Sequence, residues 1–225
     1  MKIVIVSNKE WHRRFVGEIM ARTSSEAIFL SAKGDVSLEK LTALQPDWVF
    51  FPHWSYIIPA EVYENFRCVI FHMTDLPFGR GGSPLQNLIA RGIYETKLSA
   101  IRCVKELDAG EVYKKVPLSL WGTAEEIYLR AAELTKEIIV DLVLHPVEPF
   151  SQSGEIVNFQ RRKQSDGNVE LCGSLNQVFD YIRMLDADTY PKAFLETEKF
   201  RLEFSRASLR ENEILADVKI IMKGE

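Results

Sequence analysis

Two residues of this 225-residue chain have the types and settings that proton-transfer chemistry needs. His72 closes an apolar run, CVIFH at 68–72, and Asp108 sits in an Asp-Ala-Gly turn. A carboxylate beside a histidine favours the imidazolium, and such a pair takes a proton from a nucleophile or holds a developing oxyanion. On spacing alone, a strand cap and an Asp-x-Gly turn explain the two equally well. The segment after His72 is less ordinary. MTDLPFGRGGSP, at 73–84, places Gly79, Gly81 and Gly82 around Arg80, with Pro77 before them and Pro84 after them. Glycines let a backbone approach a substrate or adopt positive φ. Arg80 reads either as a contact for a phosphate or sugar oxygen or as a loop-stapling ion pair.

The elements that must position these residues alternate. KIVIVS (2–7), EAIFLS (26–31), DWVFF (47–51) and CVIFH (68–72) read as strands, and helical patterns lie between them over 11–22, 36–44 and 59–66. That spacing predicts βαβ units, a mostly parallel Rossmann-like sheet with helices on both faces. A further helix is expected at 84–92, two long strands at 95–107 and 110–120 flanking the Asp108–Gly110 turn, and a helix at 123–144. HPVEPFSQSG (145–154) breaks the pattern. The expected organisation is a core over 1–149 and a small α+β appendage over 150–225, with a strand near 155–162, a helix at 174–186 and strands near 199–206 and 214–222. In open parallel sheets ligands bind outside the carboxyl ends of strands, which is where His72 falls.

Composition narrows the function classes. The net charge of −4, with RRK at 161–163 the one locally basic stretch, argues against extended nucleic acid as a partner. Cys68, Cys103 and Cys172 form no C-x-x-C pair, and no apolar run is long enough for a membrane span, so a cytoplasmic protein with no membrane partner is expected. The four histidines lack metal-ligand spacing, so no metal is expected. SNKEWHRR after the first strand is not G-x-G-x-x-G, which disfavours a dinucleotide dehydrogenase.

The segment HMTDLPFGRGGSPLQNLI resembles the H-x-S-L-L-P-x-x-R-G-x-x-P-x-x-x-x-I block of the folate-dependent formyltransferases. ELDAGEV (106–112), FFPHWSYIIP (50–59), FQRRKQSDGNV (159–169) and IRMLDADTYPKAF (182–194) resemble further blocks of that family, in the same order. The resemblance implies the formyltransferase fold and transfer of a formyl group from N10-formyltetrahydrofolate to a primary amine, with His72 and Asp108 catalytic. It implies a folate slot lined by Trp54, Ser55, Tyr56, Ile58, Arg102, Val104 and Leu107. Thr74, Pro77, Arg80, Gly81, Gly82, Arg161 and Lys163 are expected to contact the second substrate. The family uses an Asn-x-His pair, and the position two before His72 is Ile70. Thr74, His53 or Asn87 is expected to replace that donor.

The opening SNKEW and the short extension resemble sugar N-formyltransferases more than the methionyl-tRNA or glycinamide ribonucleotide enzymes. The expected acceptor is therefore a nucleotide-linked 4-amino-4,6-dideoxy sugar, with small molecules the only partners. A non-catalytic folate or nucleotide-sugar module and a formyltetrahydrofolate hydrolase are the alternatives. Oligomeric state is left open.

Overall fold

The computed structural model describes residues 1–188 and 190–224; Thr189, inside the last block of the resemblance, and Glu225 lie outside them. The chain runs β1 (Lys2–Val6), α1 (Glu10–Arg13), α2 (Val16–Thr23), β2 (Glu26–Leu30), α3 (Leu38–Leu44), β3 (Trp48–Phe51) and α4 (Ala60–Tyr63). Next come β4 (Cys68–His72), β5 (Phe78–Gly81), α5 (Pro84–Ile89), β6 (Glu95–Arg102), β7 (Val112–Ser119) and α6 (Ala124–Leu144). The last elements are β8 (Val157–Phe159), α7 (Leu175–Met184), β9 (Ala193–Glu196), β10 (Phe200–Leu209) and β11 (Ile214–Met222).

Two compact units share the chain discontinuously. One comprises 1–81, 96–118 and 129–158, and the other 82–95, 119–128 and 159–225.

The first unit is built on a six-stranded sheet ordered β2-β1-β3-β4-β6-β7. β1 pairs parallel with β2 and β3, and β3 with β4, while β6 runs antiparallel to β4. The fold is the mostly parallel α/β sheet flanked by helices that the strand–helix alternation predicts. Its central strands are continuous apolar runs because both faces are covered. Ile3, Val4, Ile5 and Val6 of β1 and every residue of β3 are buried. Each fully buried Val, Ile, Leu or Phe contributes roughly 1.5–3 kcal/mol, so this run anchors the strand ends that carry the site. Val4, Val6, Val49, Phe51, Leu41, Val62, Cys68 and Cys103 form one buried cluster. Both cysteines are free, and burial pushes the Cys103 thiol up to about 12, so they act as small hydrophobes.

The second unit carries an antiparallel three-stranded sheet ordered β11-β10-β9. Within it, Arg183 on α7 is buried, pairs with Asp180 at 2.7 Å and donates to the Leu120 and Gly122 carbonyls at 2.6 and 3.0 Å. A buried guanidinium needs such a set of acceptors.

Three local expectations change. The helix expected over 11–22 is split into α1 and α2 at Arg14–Phe15, and His12 within α1 is held to Ser7 at 2.8 Å. The long strand expected over 95–107 stops at Arg102; Lys105, Glu106 and Leu107 are all exposed, so no face remains to bury. The short strands β5 and β9 went unread, because neither has an alternating pattern long enough to register.

Candidate active site

In the main sheet the strand order reverses between β1 and β3, and in open α/β sheets such a switch point is where ligands bind, outside the carboxyl ends of the strands. β4, the next strand, ends at His72. Its imidazole is buried, at 7% exposure, as is Asp108, also at 7%. The Nδ1 atom of His72 lies 3.5 Å from Asp108 Oδ2. Nε2 donates to the Gly79 carbonyl at 2.7 Å. The two residues are 36 positions apart in sequence (108 − 72), and the fold brings them together.

The loop chemistry explains how. Gly79 and Gly81 adopt φ of 81° and 106°, which an L side chain would oppose. This turns the Gly79 carbonyl onto the imidazole and aims the Gly81 N–H at Asp108 Oδ2, 2.9 Å away. Asp108 itself has φ 53°, a left-handed geometry that Asp tolerates better than most residues. Gly110 follows because the chain must pass the Arg102 carbonyl oxygen: a Cβ there would sit 1.8 Å from it.

Gln152 closes the loop. Its Nε2 donates to the Asp108 and Gly110 carbonyls, each at 2.8 Å, while its Oε1 accepts from Arg80 Nε and Nη2 at 3.1 and 2.7 Å. Sequence reasoning missed Gln152; it sits in a Pro/Ser/Gly-rich stretch with no local signal. Arg80 thus staples the loop through an amide, where the sequence reading weighed an ion pair.

Ile70 lies on the same face of β4 as His72, two residues back. It packs against Leu76, Ile101 and Val112, an apolar setting with no donor from that position. Two of the expected replacements, Thr74 and Asn87, make hydrogen bonds of their own. Thr74 is fully enclosed, and its hydroxyl meets the Gly79 carbonyl at 3.4 Å. In the second unit, Asn87 Nδ2 donates to the Gly82 and Gln160 carbonyls at 3.0 and 2.8 Å.

The expected folate-slot residues divide. Trp54 and Ile58 pack against the buried cluster, and Trp54 Nε1 is buried with no hydrogen-bond partner among the described residues. An unpaired buried N–H costs about 1–3 kcal/mol, a cost that a ligand acceptor would relieve. Tyr56 rests edge-on against Trp54, with ring centroids 5.1 Å apart, and is 44% exposed. Ser55 and Leu107 are exposed, Val104 is half-buried, and the Arg102 side chain is paired with Glu111 at 2.9 Å. Pro77 is buried beside the loop. In the second unit, Gly82 lies so close to Arg161 that a Cβ would meet its Cβ at 2.7 Å. Arg161 and Lys163 are exposed there, and the Lys163 N–H donates to Asp166 at 2.8 Å.

After β1 and β3, His12 is 4% exposed with Nδ1 on Ser7, and His53 has φ 50°. Burial first, then the neighbouring His53 and Lys9, lower the His12 pKa to about 3; burial and Lys9 lower His53 to about 4. Both are depressed from an unfolded value near 6.5, so the unfolded chain binds more protons below that pH and stability falls as pH drops. At pH 4.5, two units below the unfolded value, His12 alone costs roughly 2.7 kcal/mol. Chemical denaturation is expected to show a plateau above pH 7 and a decline toward pH 4 that His12→Asn reduces. An unchanged slope in that variant would contradict the assignment.

Comparison with known proteins names the family. A family model described as methionyl-tRNA formyltransferase, C-terminal domain, matches residues 164–221. The solved methionyl-tRNA formyltransferase from Clostridium thermocellum is 45% identical, with 99% of this chain and 100% of that chain covered and a TM-score of 0.95. The methionyl-tRNA formyltransferase of Bacillus cytotoxicus is 29% identical over 159 residues, covering 66% of this chain and 50% of that protein. A sugar N-formyltransferase from Shewanella, at 20% identity and a TM-score of 0.67 over 88% of this chain and 93% of that one, shares the fold alone. The chain belongs to the formyltransferase family. It spans about half the length of the curated relatives it matches.

These relatives overturn two expectations. The nucleotide-linked amino sugar gives way, because the 45% and 29% identical relatives are methionyl-tRNA enzymes. The motif blocks describe chemistry at an amine and do not specify what carries that amine. The exclusion of nucleic acid falls with it. Net charge is an average over the whole surface, whereas a polyanion responds to a local field. Among the described residues, no helix is long and apolar enough to cross a membrane.

Proposed function

We propose that this chain transfers the formyl group of N10-formyltetrahydrofolate to the amino group of methionyl-tRNA. The observation that carries the reading is the placement of His72 between the Gly79 carbonyl and the Asp108 carboxylate. With Nε2–H committed to Gly79, a neutral ring presents the Nδ1 lone pair on the side of Asp108. The amine nitrogen attacks the formyl carbon, forming a tetrahedral oxyanion and a cationic nitrogen. Nδ1 takes the nitrogen's proton, and Asp108 stabilises the imidazolium that results. The C–N10 bond then breaks, and the proton passes to the departing folate nitrogen. Trp54 Nε1 and the apolar side chains of Trp54 and Ile58 are suited to the folate, Arg80 and Gly81 to the rim of the loop. Arg161 and Lys163 supply positive charge of the kind that engages a phosphate backbone. The acceptor rests on the relatives' names; the folate rests on the family.

The test is to combine the protein, N10-formyltetrahydrofolate and methionyl-tRNA, and to look for a mass gain of ~28 on the released methionine, as one hydrogen is replaced by CHO. Folate consumed without an acceptor, or bound without turnover, refutes the reading.

Ile70 supplies a second test. A single oxyanion donor contributes ~2.7–4 kcal/mol to the barrier, and at this position the chain has only methyl groups. Ile70→Asn is expected to raise turnover about tenfold or more while lowering stability by ~1–3 kcal/mol, since a polar group enters an apolar contact. Turnover that stays flat or falls in a folded variant would show that the oxyanion is held from elsewhere.

A further inference from the structure

The loop that brings the Gly79 carbonyl onto His72 is fastened at three consecutive residues before it arrives there, each time from β6 or β7. The Thr74 carbonyl accepts from Ser99 Oγ at 2.7 Å. The Asp75 carboxylate meets Lys115 Nζ through Oδ1 at 2.6 Å and Lys97 Nζ through Oδ2 at 3.0 Å. The Leu76 carbonyl accepts from the same Lys115 ammonium. Lys115 therefore grips the loop twice, once at a side chain and once at the backbone, immediately before Pro77. Hydrogen bonds with an ionised donor are roughly twice as strong as neutral ones.

Fold stability alone does not account for this arrangement. The Asp75 and Lys97 side chains are 44% and 46% exposed, and ion pairs so open to water add little to a fold. What the contacts set is the position of the loop. On its far side, Arg80 is held by Gln152 and the Gly81 N–H by Asp108. Gly79 lies between the two anchorages, and with φ 81° and no side chain it has little of its own to fix it. Its carbonyl must nevertheless meet His72 Nε2 at 2.7 Å. That contact selects the ring form with hydrogen on Nε2 and a lone pair on Nδ1, toward Asp108. A ring released from it can carry its hydrogen on either nitrogen, and only one of the two forms can take a proton beside the carboxylate.

We propose, on the proton-accepting role given to His72 in the proposed function, that Lys115 is a positioning residue for formyl transfer. By holding Asp75 and the Leu76 carbonyl from β7, it keeps the Gly79 carbonyl on Nε2 and leaves Nδ1 free for the proton of the amine.

Lys115→Met keeps the aliphatic stem and removes the ammonium. It is expected to lower kcat about tenfold, within the roughly 10²-fold that a misplacement of about 1 Å can cost. KM for both substrates should stay within about twofold, and the denaturation midpoint should barely move. Lys115→Gln, neutral and too short for both bonds, is expected to match it if the methionine variant folds poorly. Lys114→Met is the control: this neighbour pairs with Asp141 at 2.5 Å, and its loss should leave kcat unchanged. Nitrogen-15 NMR of the histidine-labelled protein at alkaline pH reads the ring without turnover, with His72→Ala assigning the signal. Wild-type His72 is expected in the Nε2–H form, and the Lys115 variants in a mixture of both forms. A kcat within about threefold of wild type, a loss that KM shares equally, or a ring unchanged in form overturns the proposal. A wild-type protein that binds folate yet forms no formyl-methionyl-tRNA refutes the assigned function instead, and the ring spectra then decide the role of Lys115 by themselves.

Discussion

Replacing His72 by alanine is expected to lower formyl transfer by at least about 10²-fold, the usual contribution of a positioned acid–base group. The loss should fall on kcat. In the proposed mechanism His72 acts on a proton that moves only once the amine has begun to bond to the formyl carbon, so it would strengthen the transition state more than substrate binding. Asp108→Asn tests the partner. It keeps the side-chain shape and can still accept from the Gly81 N–H, which donates at 2.9 Å to Oδ2. It removes the negative charge 3.5 Å from Nδ1. If the carboxylate stabilises the imidazolium, Asp108→Asn should lose a similar factor, with the thermal midpoint little changed. Steady-state kinetics on both variants decide the matter, and losses below threefold at both positions would refute the assignment.

Gly110→Ala is expected to have the largest effect on stability. The added methyl would lie 1.8 Å from the Arg102 carbonyl oxygen and 2.9 Å from its carbon. Both obstacles are backbone, so no side chain can swing aside. The loop cannot simply back away, since Gln152 clamps the Asp108 and Gly110 carbonyls, each at 2.8 Å. Relief requires moving the 108–110 turn or breaking that clamp, a cost of about 3 kcal/mol or more by analogy with overpacked sites. A displacement of about 1 Å at Asp108 would also cost roughly 10²-fold in rate. Gly17→Ala is the control: nothing lies within 4 Å of its Cβ and the site is helical, so it should be neutral or slightly stabilising. Denaturant titration of both variants checks the contrast, and equal stabilities would contradict the account of the turn.

How much of this was legible beforehand follows from the range of each signal. β1, β3 and β4 are readable because continuous apolar runs report burial on both faces, a local property. His72 and Asp108 are readable because glycines and prolines crowd around one and a tight turn holds the other. Gln152 is not, because its role depends on carbonyls 42 and 44 positions away in the chain. The acceptor was misread because whole-chain charge and motif order say little about what carries the amine. Ile70 stood out as a departure in the sequence, and the apolar packing around it shows that this position offers no donor.

The central claim is that the imidazole at the end of β4 and the carboxylate of the 108–110 turn together face the reacting carbon. A crystal structure of the complex with tetrahydrofolate tests it most directly. The account predicts the N10 atom within roughly 4 Å of the His72 ring, near-attack distance once a formyl group is added, with Trp54 Nε1 hydrogen-bonded to the folate. Tetrahydrofolate seated elsewhere, or N10 directed away from His72 and Asp108, would contradict it.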